Sequence, residues 1–152
     1  MQGSLGPERL YADFLSRLDS EAGAVVTFTG LARGRGKDGA DIATLFLEHH
    51  PVLTERSLKQ IAADGAARFP VAFVDVVHRR GAIRPGEAIV WVAAAAAHRR
   101  AAFDAADYLM DRLKTEAVFW KREDGPGGSI WIEPTEGDHA ARAAWESPAA
   151  KR

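Results

Sequence analysis

Two lysines, Lys114 and Lys121, flank the point where a predicted helix gives way to a predicted strand. A cation in the last turn of a helix, as Lys114 would be, complements the helix dipole and needs no catalytic role. If the helix end and the strand fold back on each other, however, the two ammonium groups converge. Converging amines depress each other's pKa and can supply an acid, a base or a nucleophile. The residue types alone leave both interpretations open and favour the structural one.

A second group of polar residues, His98, Arg99 and Arg100, stands where a buried strand is followed by the longest predicted helix. Backbone N–H groups at the start of a helix attract anions. A guanidinium group matches two phosphate oxygens at a time. This segment could therefore bind a phosphate. Equally, His98 could cap the helix while the arginines face solvent, and the spacing does not decide between the two.

Residues 30–40 form a glycine-rich basic loop that contains Arg33. The loop resembles an anion-binding loop but lacks the Gly-Lys-Ser/Thr ending of a P-loop. The run Glu48, His49, His50 invites a metal interpretation. Side chains alternate between the faces of a strand, and no further His or Cys cluster completes such a site. We therefore predict neither a metal site nor a bound cofactor.

Composition excludes several classes of protein. The chain has no cysteine, which excludes disulfides, thiolate metal sites and cysteine nucleophiles. Its formal net charge of -1 argues against a generally basic nucleic-acid binder. The longest apolar stretch, Ala88 to Ala97, is too short to cross a bilayer, and no secretion signal is visible at the start. We expect a cytoplasmic protein.

The hydrophobic pattern predicts one domain, residues 1–152, of α+β class. Its sheet should be largely antiparallel, with three or four helices. Thr54 is the expected N-cap of the second helix, and Phe103, Ala106, Met110 and Leu113 the apolar face of the third. Helices are predicted over 8–18, 54–68, 99–115 and, in short form, near 138–145. Strands are predicted over 23–30, 42–49, 71–78, 88–95, 118–121 and 129–133.

Five segments, taken in order, resemble the large, catalytic subunit of molybdopterin synthase. They are residues 23–30 (GAVVTFTG), 47–51 (LEHHP), 77–87 (VHRRGAIRPGE), 97–99 (AHR) and 113–123 (LKTEAVFWKRE). The match runs from about residue 23 to residue 133, and five ordered segments at family-like spacing are specific.

The resemblance implies an α/β hammerhead-type fold and a homodimer that binds a small ubiquitin-like subunit at each end, giving a heterotetramer. The small subunit carries sulfur as a C-terminal thiocarboxylate. The implied activity is that of a sulfurtransferase: two sulfurs convert cyclic pyranopterin monophosphate to molybdopterin, with opening of the cyclic phosphate. The missing cysteine fits this activity because the partner brings the sulfur.

The resemblance also implies a cationic pocket with one acidic residue in its wall. Lys114 and Lys121 match its catalytic residues. Substrate binding is assigned to these two lysines together with Arg33, His98, Arg99, Arg122 and Glu123. Within that set, His98 and Arg99 would come from the neighbouring protomer.

Two other functions deserve comparison with this one. A non-catalytic adaptor could dock a ubiquitin-like partner, but it has no need of both lysines and the His98–Arg99 pair. A nucleic-acid-binding module could use the basic loop with Phe119 and Trp120. Against that module stand the net charge and the lack of a continuous basic stripe.

Overall fold

A computed structural model of the chain describes residues 3–147, which form two antiparallel sheets and four helices. The α+β class and the antiparallel pairing predicted from the sequence are confirmed. The elements, in chain order, are α1 (Pro7–Ser16), β1 (Ala24–Leu31), β2 (Thr44–His49), α2 (Pro51–Arg68), β3 (Phe73–His78), β4 (Gly81–Ile83), β5 (Ala88–Ala96), α3 (Arg99–Thr115), β6 (Phe119–Gly125), β7 (Gly128–Ile132) and α4 (Glu136–Ala144).

The first sheet has the strand order β1-β5-β3, and its central strand is covered on both faces. Val92 and Ala94 of β5 pack against α2 and α3, while Trp91 and Ala93 pack against Phe14 of α1. Burial on both faces explains why β5 is a continuous apolar run rather than an alternating one. It also places Trp91 in the core, with 1% of its surface exposed.

The second sheet has the strand order β4-β2-β6-β7 and only one buried face. Leu47 and Ile83 lie on that inner face and are fully buried. Lys121 of β6 pairs with Leu47 of β2, so it shares the inner face. Side chains alternate along a strand, and Trp120 accordingly lies on the outer face with half of its surface exposed.

Helix α3 has the bounds predicted from the sequence, and Ala106 and Leu113 of its predicted apolar face are buried. Phe103 is 55% exposed, so its predicted place in the core is wrong. Ala102, Ala105 and Leu109 are fully buried and complete the inner face. The small alanines allow α3 to lie close to β5, whereas the larger Phe103 cannot fit in that layer.

Helix α2 begins earlier than predicted, at Pro51, with His50 rather than Thr54 as its N-cap. His50 Nδ1 accepts a hydrogen bond from the Leu53 N–H at 3.2 Å. Thr54 is buried, and its hydroxyl donates to the Val118 carbonyl at 2.5 Å. It therefore ties α2 to the start of β6. No helix within residues 3–147 is long and apolar enough to span a bilayer.

Candidate active site

Lys114 lies in the last turn of α3, with about half of its side chain exposed. Its ammonium group donates a hydrogen bond to Asp138 Oδ1 at 3.0 Å. Asp138 lies in the first turn of α4, so this ion pair joins two helices. The exposed end of Lys114 is therefore held by a carboxylate rather than free in solvent.

Lys121 lies half-buried on the inner face of β6. Burial lowers the pKa of Lys121 below its ordinary value, and the charge of Lys114 lowers it further. The carboxylate of Asp138 acts in the opposite direction and raises it. Lys121 therefore lies near enough to Lys114 and Asp138 for both charges to act on it, in one cluster at the junction of α3, β6 and α4.

Asp138 is the residue of this cluster that sequence reasoning missed. Its Oδ2 accepts hydrogen bonds from the Thr135 N–H at 2.8 Å and from the Thr135 hydroxyl at 2.7 Å. These bonds, and secondarily Lys114, hold the pKa of Asp138 well below its usual range. The spacing of a capping box, Thr135-x-x-Asp138, was the available signal. Asp138 is ionised throughout the pH range in which the protein would work.

His78 lies buried at the end of β3, next to the cluster. Its ring stacks on Phe119 at a centroid distance of 4.1 Å, and Nδ1 lies 2.8 Å from the Arg79 carbonyl oxygen. Nδ1 therefore carries the proton of the neutral ring. Burial, with a smaller contribution from the Lys121 charge, lowers the pKa of His78 to about 4. His78 is consequently a neutral wall of the site at neutral pH.

Arg122 and Glu123, predicted together in the pocket wall, lie on opposite faces of β6. The Arg122 side chain pairs with Asp124 at 2.8 Å and lies over the rings of Phe46 and Trp131 on the outer face. Glu123 shares the inner face with Lys121. Its carboxylate lies next to Gly36, where a Cβ would come within 3.2 Å of Oε2. The basic loop that contains Arg33 thus packs onto the Glu123 side of β6.

His98 and Arg99 are exposed at the opposite end of α3 from Lys114. The 15 residues between Arg99 and Lys114 correspond to about 22 Å of helix. One chain therefore does not bring His98 and Arg99 to the lysine cluster. His98 occupies the N-cap position but makes no capping hydrogen bond with its side chain.

Two negative observations apply to the part of the chain that the structure describes. Across residues 3–147, no group of three or more His, Asp or Glu side chains is arranged to hold a metal ion. A shallow depression follows the outer face of α2, and it contains none of the candidate site residues. The chemistry available at the cluster is that of two amines and one carboxylate.

Fold and site together define a class: an α+β protein in which two amines beside a fixed carboxylate can bind an anionic group and exchange protons with it. Residues 3–116 match the sequence model of the MoaE protein family, and the chain belongs to this family. The resemblance inferred from the five segments is thereby confirmed. Lys121 and Asp138 lie beyond the residues that match this model.

Relatives and solved structures agree with this assignment. The chain is 53% identical over 129 residues to the molybdopterin synthase catalytic subunit of Caulobacter vibrioides, covering 85% of this chain and 84% of that protein. It is similar to the molybdopterin biosynthesis MoaE protein from Burkholderia ambifaria, with a TM-score of 0.77, 38% identity and coverage of 95% and 93% of the two chains. It is also similar to the molybdopterin synthase from Staphylococcus aureus, with a TM-score of 0.76, 29% identity and coverage of 85% and 91%.

Proposed function

We propose that this chain is the catalytic subunit of a molybdopterin synthase. It would convert cyclic pyranopterin monophosphate to molybdopterin, using sulfur from the C-terminal thiocarboxylate of a small ubiquitin-like partner. Membership of the MoaE family supports the activity. The observation that carries the catalytic role is the Lys114–Asp138 ion pair, with Lys121 near enough for both of its charges to act on the second amine.

The proposed reaction brings two negative groups, a thiocarboxylate and a cyclic phosphate, into one small site. That charge must be offset before sulfur can attack carbon, and preorganised cations are the most effective means. Lys121 and Lys114 supply two such cations. Lys121, whose pKa burial lowers, also releases a proton more readily near neutral pH. We assign proton handling beside the partner's tail to Lys114, because its half-exposed amine is the one that the tail can reach, with Lys121 as its catalytic companion.

The complete site requires residues from a second copy of the chain. Within one chain, His98 and Arg99 lie about 22 Å from Lys114 along α3. We propose that, in a homodimer, they contact the pterin and the phosphate bound in the neighbouring protomer's site. Exposed apolar side chains on the edge strand β1 and on α3, namely Phe28, Leu31 and Phe103, offer a surface for such a contact. A small subunit at each end would complete a heterotetramer.

The remaining proposed substrate contacts are Arg33 and Glu123. Glu123 and the loop of Arg33 lie on the Lys121 side of β6 and would form the wall of the pocket. Arg122 lies on the opposite face of β6, against Asp124, Phe46 and Trp131, so we do not assign it a substrate contact. We propose a cytoplasmic location for the assembly, supported by the biosynthetic role named for its relatives.

The test is incubation of the chain with thiocarboxylated partner and pterin substrate, with dithiolene formation as the readout. Lys114→Ala should abolish product formation while binding the partner normally. Lys59→Ala is the matched control, because Lys59 lies on α2 and pairs with Glu55, away from the cluster. A wild-type chain that binds the partner yet forms no dithiolene would instead be a docking adaptor.

A further inference from the structure

The C-terminal helix α4 is fastened to the rest of the chain at its far end. The Trp145 ring meets Phe69 and Tyr108 edge-on, at centroid distances of 5.7 and 5.5 Å, and its Nε1 donates to Asp111 Oδ2 at 2.8 Å. Arg142 forms an ion pair with Glu116. These contacts fix the direction in which α4 runs along α3.

The opposite end of α4 presents Asp138 to the lysines. Both carboxylate oxygens are engaged, Oδ2 by Thr135 and Oδ1 by Lys114. Rotation of the carboxylate would break the capping box that starts α4. Asp138 is also the less exposed partner, with 19% of its side chain accessible against 52% for Lys114. The carboxylate is therefore the fixed member of the pair, and the long lysine side chain is the one that can move.

Three elements surround Lys121, and two of them bring a charge. Lys114 of α3 is positive and Asp138 of α4 is negative, whereas the ring of His78 on β3 is neutral. Without Asp138, no residue of this cluster within residues 3–147 would supply a negative charge to compensate the two ammonium groups. An anion that entered the site would supply the same compensation. Asp138 and an incoming anion are thus electrostatic alternatives for the same cation.

We propose that Asp138 is a positioning residue, which holds the Lys114 ammonium beside Lys121 in the absence of substrate and yields it to an incoming anion. This inference rests on the proposed function, since it explains how the amines of that site are kept ready. It assigns Asp138 no contact with the reacting atoms.

The first test is an NMR titration of chain labelled with ¹³C at the lysine Cε atoms, which reports the ionisation of each amine without any turnover. Asp138→Asn keeps the size of the side chain and leaves an oxygen for the Thr135 N–H. In this variant Lys121 should lose its proton at lower pH than in the wild type, because the carboxylate that raises its pKa is gone. Glu136→Gln is the matched control: it removes a carboxylate from the same turn of α4 and should leave the titration of Lys121 unchanged.

The second test uses inorganic phosphate as the anion. If Asp138 competes with anions for Lys114, Asp138→Asn should bind phosphate several-fold more tightly than the wild type. Single-turnover dithiolene formation should nevertheless fall by about tenfold, which corresponds to about 1.4 kcal/mol. A merely structural loss would weaken both binding and rate. Asp138→Glu, which restores a carboxylate, should recover part of the rate.

The outcomes separate this inference from the function on which it rests. Unchanged lysine titration in Asp138→Asn, together with unchanged phosphate affinity, would overturn the positioning role. Should that variant fail to fold, the wild-type spectrum decides: phosphate must shift the Lys114 Cε signal and leave the Lys59 signal in place. A Lys114→Ala variant with normal product formation would instead overturn the proposed function, whatever the titrations show.

Discussion

Lys114→Arg separates the charge of Lys114 from its ability to exchange a proton. The arginine keeps the positive charge and can still reach Asp138, which lies 3.0 Å from the native ammonium. Its pKa, however, is too high for it to release a proton near neutral pH. If Lys114 handles protons, Lys114→Arg should lose 10² to 10⁴-fold in the rate of sulfur transfer, about the contribution of one general acid or base.

Stability does not confound this prediction. Lys114 is half-exposed, and an ion pair of that exposure contributes no more than about 1 kcal/mol after solvent screening. For a chain of this size, such a loss lowers Tm by only about 2–4 °C. Lys114→Ala and Lys114→Arg should therefore both fold and bind the partner, since docking of a protein surface spreads over many contacts.

The assay is a single turnover of substrate-bound enzyme with preloaded thiocarboxylated partner, sampled by rapid quench. Arg122→Lys is the companion variant, because Arg122 lies on the outer face of β6 and should lose much less activity. Near-normal sulfur transfer by Lys114→Arg would refute the proton-handling role and leave Lys114 as an electrostatic anchor.

Three further predictions follow from particular contacts. Mixing a His98→Ala/Arg99→Ala chain with a Lys114→Ala chain should restore part of the activity in mixed dimers; no recovery, once subunit exchange is shown, would exclude a site shared between protomers. The free energy of unfolding should fall by about 3 kcal/mol between pH 6.5 and pH 4. The reason is that His78 takes up a proton in this range in the unfolded chain but resists it in the native chain, where its pKa is about 4. Denaturant titrations of His78→Gln should show little of this dependence of stability on pH. Trp145→Ala should cost about 2 kcal/mol of stability through lost ring packing, and Trp145→Phe about 1 kcal/mol through the lost Asp111 hydrogen bond, both measurable as shifts in the denaturation midpoint.

Much of the fold was predictable because local signals and the tertiary structure agree. Helix α3 begins where the apolar strand β5 meets His98, and it ends before β6 as predicted. The three-residue strand β4 was missed, since so short a segment carries no alternation to detect. Phe103 was misplaced because the helical spacing fits two neighbouring stripes of α3, and only the packing of β5 decides between them.

The lysines of the candidate site could be named from the sequence, but the carboxylate between them could not. Lys114 and Asp138 are 24 residues apart, and their contact exists only because α4 folds back along α3. The position of α4 along α3 depends on the contacts of Trp145 with Phe69 and Tyr108, which join the ends of α4 and α2 to α3. A capping-box motif predicts where α4 starts, and it contains no information about which lysine the helix will meet.

Ala94 of β5 determines how closely α3 approaches the first sheet. Ala94 lies beneath α3 with no exposed surface, so the helix rests nearly on the backbone of the strand. Lys114 lies at the end of this helix, whereas Lys121 lies in the second sheet, so a change in the spacing between α3 and β5 should move one amine relative to the other. A larger side chain at Ala94 would push α3 away from β5 without changing any polar residue of the site. The distance between the two amines should therefore respond to substitutions in the hydrophobic core.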